Sequence, residues 1–247
     1  MEKSSALRVL LVGLVIACLG GVSNAGSDGK VLVEFYSESL CPYCANFVVN
    51  YLSKFFTNGM IDIVDLRMIP YGNARIYEGD AIVCQHGPDE CELNIIQACA
   101  IDHYVNATKW FPFIECLETL VWDLPRAMVL PNWKYCVIPS GLELEPIESC
   151  YAGPAGEKIV RAFGAETDSL DPPHKYVPWV VVNGTPLYEE YEDVEKIVCD
   201  AYEGPLAKPE ACGDVRSAGR GTSQKRGVCE KGQAVLGDAS QVAHAGL

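Results

Sequence analysis

A short β-rich run that breaks into a cysteine pair at the start of an amphipathic helix constrains this chain more than any other feature. Residues 31–36 read Val-Leu-Val-Glu-Phe-Tyr and lead through Ser37-Glu38-Ser39-Leu40 into Cys41-Pro42-Tyr43-Cys44. Over residues 44–56 the apolar side chains Phe47, Val48, Tyr51, Leu52, Phe55 and Phe56 recur at helical spacing, and Asn58-Gly59 stops the helix. Residues 61–69 alternate apolar and polar at first, which suits a second strand. A strand, a helix and a strand in that order form a right-handed parallel crossover.

The middle of the chain has a different texture. Residues 91–104, 113–122, 147–151 and 157–163 carry helical patterns separated by Pro- and Gly-containing breaks. They predict a helical insertion over about residues 90–165. Strand character returns at 176–182, followed by Asn183-Gly184, the strongest short signal for a type I′ hairpin turn, and a return strand over 185–188. A closing helix is expected over about 189–202, with Val194, Ile197, Val198 and Ala201 on one face. The element order β-α-β, helical insertion, β-β-α predicts an α/β chain with a thioredoxin-like core stapled by disulfides. Beyond Cys212 the residues are rich in Gly, Ser, Ala and Gln without periodicity, so 213–247 are expected to be a disordered tail.

Two cysteines spaced C-x-x-C at the first turn of a helix have a physical reason to react. Unpaired backbone N–H groups and the helix dipole favour an anion there, and the thiolate is the nucleophile of disulfide exchange. Cys41 is expected to attack a substrate disulfide and Cys44, on the same side one turn along, to resolve the mixed disulfide. Pro42 suits the first turn because it has no N–H to lose. An inert Cys41–Cys44 bridge and a zinc site completed by Cys84, His86, Cys91 or Cys99 are the competing readings. A secreted, cysteine-rich chain disfavours zinc, so no metal and no cofactor are expected.

The compartment is read from the N-terminus. Lys3 and Arg8 flank an apolar run over residues 9–19, and Ser23-Asn24-Ala25 has the small-x-small pattern of a cleavage site. Residues 1–25 are therefore expected to be a secretory signal peptide rather than a signal anchor, leaving no membrane span after cleavage. Removing it takes Cys18 and leaves eleven of the twelve cysteines, which in an oxidising lumen read as disulfides. Structural bridges are expected among Cys84, Cys91, Cys99, Cys116, Cys136, Cys150, Cys199 and Cys212, with Cys199 and Cys212 close enough in sequence to clamp the C-terminus. Cys229, in the tail, is the expected odd cysteine, free or paired with another molecule. The sequons at Asn106 and Asn183 permit glycosylation. A formal charge of −14 makes nucleic acid a poor partner, because phosphate contacts need clustered Lys and Arg.

The segment Cys84-Gln85-His86-Gly87-Pro88-Asp89-Glu90-Cys91-Glu92-Leu93-Asn94-Ile95-Ile96-Gln97-Ala98-Cys99 resembles the signature C-Q-H-G-x2-E-C-x2-N-x4-C of the gamma-interferon-inducible lysosomal thiol reductase family at every specified position. Residues 172–180 and 182–184 look like the late segment of the same family, and the resemblance spans about residues 30–212 as one domain over 26–212. It implies reduction of disulfide-bonded protein substrates by Cys41 and Cys44, with a small thiol as final reductant, in a secreted, lysosomal or vacuolar lumen. It also places Pro178 where thioredoxin-like proteins carry a cis-proline loop that presents peptide groups to substrate. His86 and Asn94 are expected to hydrogen-bond locally and the signature cysteines to form bridges. The Pro42-Tyr43 dipeptide departs from the small residues of better-known animal members and resembles glutaredoxins. That departure keeps a disulfide oxidase or isomerase open as an alternative, and the cysteine density keeps a non-catalytic secreted binding or defence protein open as another.

Overall fold

The computed structural model describes residues 29–77, 81–213 and 227–232; the expected signal peptide lies outside them. A four-stranded sheet, in the order β2-β1-β6-β7, carries the fold. Strand β1 (Val31–Ser37) pairs in parallel with β2 (Val64–Pro70), from Val31 opposite Val64 to Ser37 opposite Pro70. Its other edge pairs antiparallel with β6 (Trp179–Val182), which turns at Asn183-Gly184 into β7 (Thr185–Pro186). Both turn residues have positive φ, 47° and 78°, as a type I′ turn requires. Asn183 also holds the turn against β1, because its Oδ1 accepts a hydrogen bond from the Leu32 N–H at 2.9 Å.

The first crossover is helical throughout. Helix α1 (Pro42–Phe47) passes through a π-helical turn at Val48–Leu52 into α2 (Ser53–Thr57). The expected helix is therefore present, with a π turn that the apolar spacing did not disclose. Strand β2 begins at Val64 rather than residue 61, because Gly59, at a φ of 80°, introduces a 3-10 turn over Met60–Asp62. Alternate residues of β1 serve two cores. Val31, Val33 and Phe35 pack with Phe47, Val48, Leu52 and Phe55, while Tyr36 packs on the opposite face with Ile69, Trp179 and Val181. Each such large side chain taken fully from water contributes about 1.5–3 kcal/mol.

Two strand pairs flank the sheet: β3 (Arg75–Ile76) with β4 (Ile82–Val83), and β5 (Tyr176–Val177) with β8 (Cys229–Glu230). The insertion comprises α3 (Pro88–Tyr104), α4 (Ala107–Asp123), the short helices α5 (Val129–Asn132) and α6 (Val137–Ser140), α7 (Leu144–Ala152) and α8 (Pro154–Asp168). Helix α4 starts six residues before its expected start. Asn106 caps it by accepting from the Thr108 N–H, and Pro112 is tolerated inside because the turns around it bury Trp110, Phe111, Phe113 and Ile114. The run 176–182 is two strands instead of one, divided at Pro178, which follows a cis Val177–Pro178 bond. The closing helix α9 (Val194–Ala201) is preceded by a 3-10 stretch over Tyr188–Asp193.

Disulfides staple this frame. Cys99–Cys150 ties α3 to α7, Cys116–Cys136 ties α4 to the turn before α6, Cys84–Cys91 closes the entry to α3, and Cys199–Cys212 clamps the segment after α9. No described helix is long and apolar enough to cross a membrane.

Candidate active site

Strand β1 ends against Glu38–Leu40, and the chain then turns into α1 with Cys41 as its N-cap (φ −78°, ψ 117°) and Pro42 at the first helical position. The Cys41 carbonyl accepts from the Ala45 N–H at 3.0 Å, and the Cys41 N–H donates to the Glu38 carbonyl at 3.3 Å. The entering loop is fixed from α3: Asn94 Oδ1 accepts both the Ser39 N–H at 3.0 Å and the Ser39 hydroxyl at 2.5 Å. Asn94, expected to bond locally, thus reaches across the molecule to shape the approach to Cys41.

Cys41 and Cys44 share the first turn of α1, and both are fully buried. They are not bonded to each other. Cys41 is bonded to Cys229, and Cys44 is the one free cysteine among the described residues. This corrects the reading of Cys229 as free or intermolecular. It also corrects the tail: of 213–247, residues 227–232 are held on the body, with β8 paired to β5 (Val177 opposite Cys229) and the Lys231 N–H donating to the Lys175 carbonyl at 2.9 Å. Asn73 Nδ2 donates to the Cys229 carbonyl at 2.9 Å, Gln85 Nε2 to the Glu230 carbonyl at 3.0 Å, and the Tyr191 hydroxyl to the Gly227 carbonyl at 2.8 Å. Segment 227–232 is too short to show hydrophobic periodicity, and its partners come from far away in sequence.

A buried acidic cluster lies beneath the cysteines. His86 Nδ1 is hydrogen-bonded to Glu90 and stands 3.4 Å from Glu38 Oε1, and its Nε2 lies 3.9 Å from Cys229 Sγ. Burial, reinforced by the negative field of Glu90, pushes the Glu38 carboxyl well above the usual range, against the opposing Asn73 N–H that donates to Oε2 at 2.9 Å. Burial likewise pushes the Cys44 thiol up, with Glu38 the strongest electrostatic neighbour, and the Glu38 backbone N–H works the other way. Cys44 is therefore a thiol at neutral pH. Glu38 was missed in the sequence, where it stands between Ser37 and Ser39 and gives no sign of burial. Among the described residues, two groups have ligand atoms within 4.8 Å of one another, Glu38/His86/Glu90 and Glu38/Cys41/Cys229, but the second spends its two sulfurs on a disulfide. Cys84, Cys91 and Cys99, the other thiols weighed for zinc, are all in bridges.

The remaining predicted positions lie around or away from this centre. Pro178 follows Val177, whose carbonyl lies 3.9 Å from Cys41 Sγ, so the cis-proline bend does face the cysteine. Asn106 is exposed at the start of α4, whereas Asn183 is half-buried in its turn.

A family model described as gamma interferon inducible lysosomal thiol reductase (GILT) matches residues 32–138. A gamma-interferon-responsive lysosomal thiol protein of Arabidopsis thaliana is 36% identical over 229 residues, covering 91% of this chain and 94% of that one. The gamma-interferon-inducible lysosomal thiol reductase of Mus musculus is 34% identical over 208 residues, covering 82% and 80%. Among solved structures, Chlamydia trachomatis DsbA superposes with a TM-score of 0.52 at 8% identity, covering 71% of this chain and 88% of that one. Oxidised BdbD of Bacillus subtilis gives 0.51 at 12%, covering 73% and 91%. These two likenesses carry the thioredoxin-type fold, and the sequence relatives carry the assignment. The chain belongs to the gamma-interferon-inducible lysosomal thiol reductase family.

Proposed function

We propose that this protein reduces disulfides of protein substrates, with Cys41 as nucleophile and Cys44 as resolver, in a secretory, lysosomal or vacuolar lumen. The observation that carries this reading is the geometry at α1: a cysteine at the helix N-cap bonded to a third sulfur, with a free cysteine in the same turn. That is the arrangement of a mixed-disulfide intermediate, with Cys229 standing where a substrate sulfur would be.

The Cys41 thiolate attacks one sulfur of the substrate disulfide and the other substrate sulfur leaves as a thiolate. Cys44 then attacks Cys41 Sγ, giving up its proton as the new bond forms. The second substrate thiolate departs and the Cys41–Cys44 disulfide remains. Glu38 is the carboxyl whose field Cys44 feels most strongly. His86 Nε2, 3.9 Å from the sulfur in the leaving position, is placed to protonate the departing thiolate. Two molecules of a small thiol return the pair to the dithiol and leave as their own disulfide.

Insulin reduction by the full chain, followed from pH 4.5 to 7.5 with a small-thiol reductant, tests the reading. Turnover by wild type and none by Cys41→Ser is the expected result; equal turnover by Cys41→Ser would sink it.

A further inference from the structure

The C-terminal segment does more than provide a stray thiol. Its main chain lies as an added strand beside Tyr176–Val177, the residues that run into the bend at Pro178. Side chains from three other parts of the fold take its carbonyls: Asn73 that of Cys229, Gln85 that of Glu230 and Tyr191 that of Gly227. Gly227 lies so close to the exposed Tyr43 of the C-x-x-C motif that a Cβ there would stand 1.9 Å from the Tyr43 ring. Main-chain pairing of this kind is the recognition mode of strand addition, which reads an extended backbone and leaves side chains to local pockets.

We propose that this groove is a binding site for an extended, cysteine-bearing strand, and that residues 227–232 are its resident occupant, a tethered substrate mimic that parks the oxidised enzyme in a closed form. The proposal rests on the reductase reading of Cys41 and Cys44. The closed form needs no outside oxidant. After a turnover the pair is the Cys41–Cys44 disulfide; the Cys229 thiolate attacks Cys41, the Cys41–Cys44 bond breaks, and Cys44 leaves and takes a proton. The exchange is redox-neutral. Its product is the arrangement observed, Cys41–Cys229 with Cys44 reduced and buried. Burial of Cys44, which favours its protonated form, holds the exchange on that side. Opening consumes two molecules of small thiol. The first attacks Cys229 Sγ and frees Cys41, the second frees Cys229, and a small-molecule disulfide is released.

With Cys41 held in the Cys41–Cys229 bond, capture of a substrate waits on opening of that bond by small thiol. Full-length wild type and Cys229→Ser, both purified without reductant, are compared by two measurements. The first is the rate of Cys41 alkylation read by peptide mass. Cys41 is expected to be unreactive in the wild type, with a Cys41–Cys229 linked peptide recovered. In Cys229→Ser, brought to the dithiol with a thiol reductant that is then removed, Cys41 is expected to be alkylated. The second is insulin reduction at limiting small thiol, where the wild type should show a longer lag and a lower initial rate than Cys229→Ser, the two converging after pre-reduction. Alkylation of Cys41 in the unreduced wild type, or recovery of Cys229 as a free thiol there, overturns the latch. If both proteins protect or expose Cys41 as expected yet neither reduces insulin after pre-reduction, the latch stands and the reductase reading fails.

Discussion

Replacing Glu118 with glutamine is predicted to flatten the dependence of stability on pH. Glu118 is fully buried on α4, with Oε1 accepting from Gln97 Nε2 at 2.6 Å and no hydrogen-bond partner for Oε2 among the described residues. Burial pushes its carboxyl from 4.5 up to about 8; the Gln97 hydrogen bond opposes the shift and Glu90 adds to it. The folded protein therefore keeps a proton that the unfolded chain releases in mild acid. Stability from this group is complete below the unfolded value and is lost as pH rises through about 8. With 1.36 kcal/mol for each pKa unit, the loss is already about 1 kcal/mol at pH 5 and about 4 kcal/mol at pH 8, so about 3 kcal/mol disappears between them. Urea unfolding of the oxidised protein at pH 5, 6, 7 and 8 measures it. Wild type should lose about 3 kcal/mol more than Glu118→Gln over that range. The variant should retain a shallower slope of the same sign, because Glu38 is raised for the same reason. Parallel curves for the two proteins would refute the assignment of a buried, protonated Glu118.

Other consequences are open to direct tests. Cys44→Ser made in the Cys229→Ser protein should accumulate a mixed disulfide between Cys41 and a disulfide-bonded substrate, visible on a non-reducing gel, while its steady-state turnover is lost. His86→Gln should slow release of the substrate thiolate and shift the pH profile of that step, with the unfolding midpoint changed far less than by Glu90→Ala; an unchanged pH profile would return His86 to a purely structural role. Asn94→Ala leaves the buried Ser39 N–H and hydroxyl without their acceptor and should cost about 1–3 kcal/mol in chemical denaturation, with a loss of activity beyond that of stability. Equilibrating the Cys41/Cys44 pair of Cys229→Ser against glutathione should give a potential below about −200 mV, whereas a value near the roughly −120 mV of a strong oxidant would favour the oxidase alternative raised by Pro42-Tyr43.

Local patterns were legible in the sequence and long-range pairings were not. The helix after the cysteines could be read from Phe47, Val48, Tyr51, Leu52 and Phe55, because those side chains form the stripe that packs on β1. The turn at Asn183-Gly184 was equally plain, since few residues accept two successive positive φ values. The π turn at Val48–Leu52 was hidden, because one extra residue in a turn leaves the apolar pattern nearly intact. The division of 176–182 at Pro178 was hidden as well, because β5 takes its partner from the C-terminal segment and not from the main sheet. Cysteine count pointed at an odd thiol but could not show that Cys229 reaches back to Cys41 across a sequence separation of 188. The roles of Glu38, His86 and Glu90 were illegible for the same reason: each looks local until the fold brings them beneath one disulfide.

The most direct test of the central claim is a single turnover of pre-reduced Cys229→Ser protein against an excess of a disulfide-bonded peptide, with released thiols counted and the enzyme's disulfides mapped. The account predicts two peptide thiols released per enzyme and conversion of the free Cys41 and Cys44 into a Cys41–Cys44 disulfide. Recovery of Cys41 and Cys44 still reduced, or of product thiols without either cysteine oxidised, would contradict it.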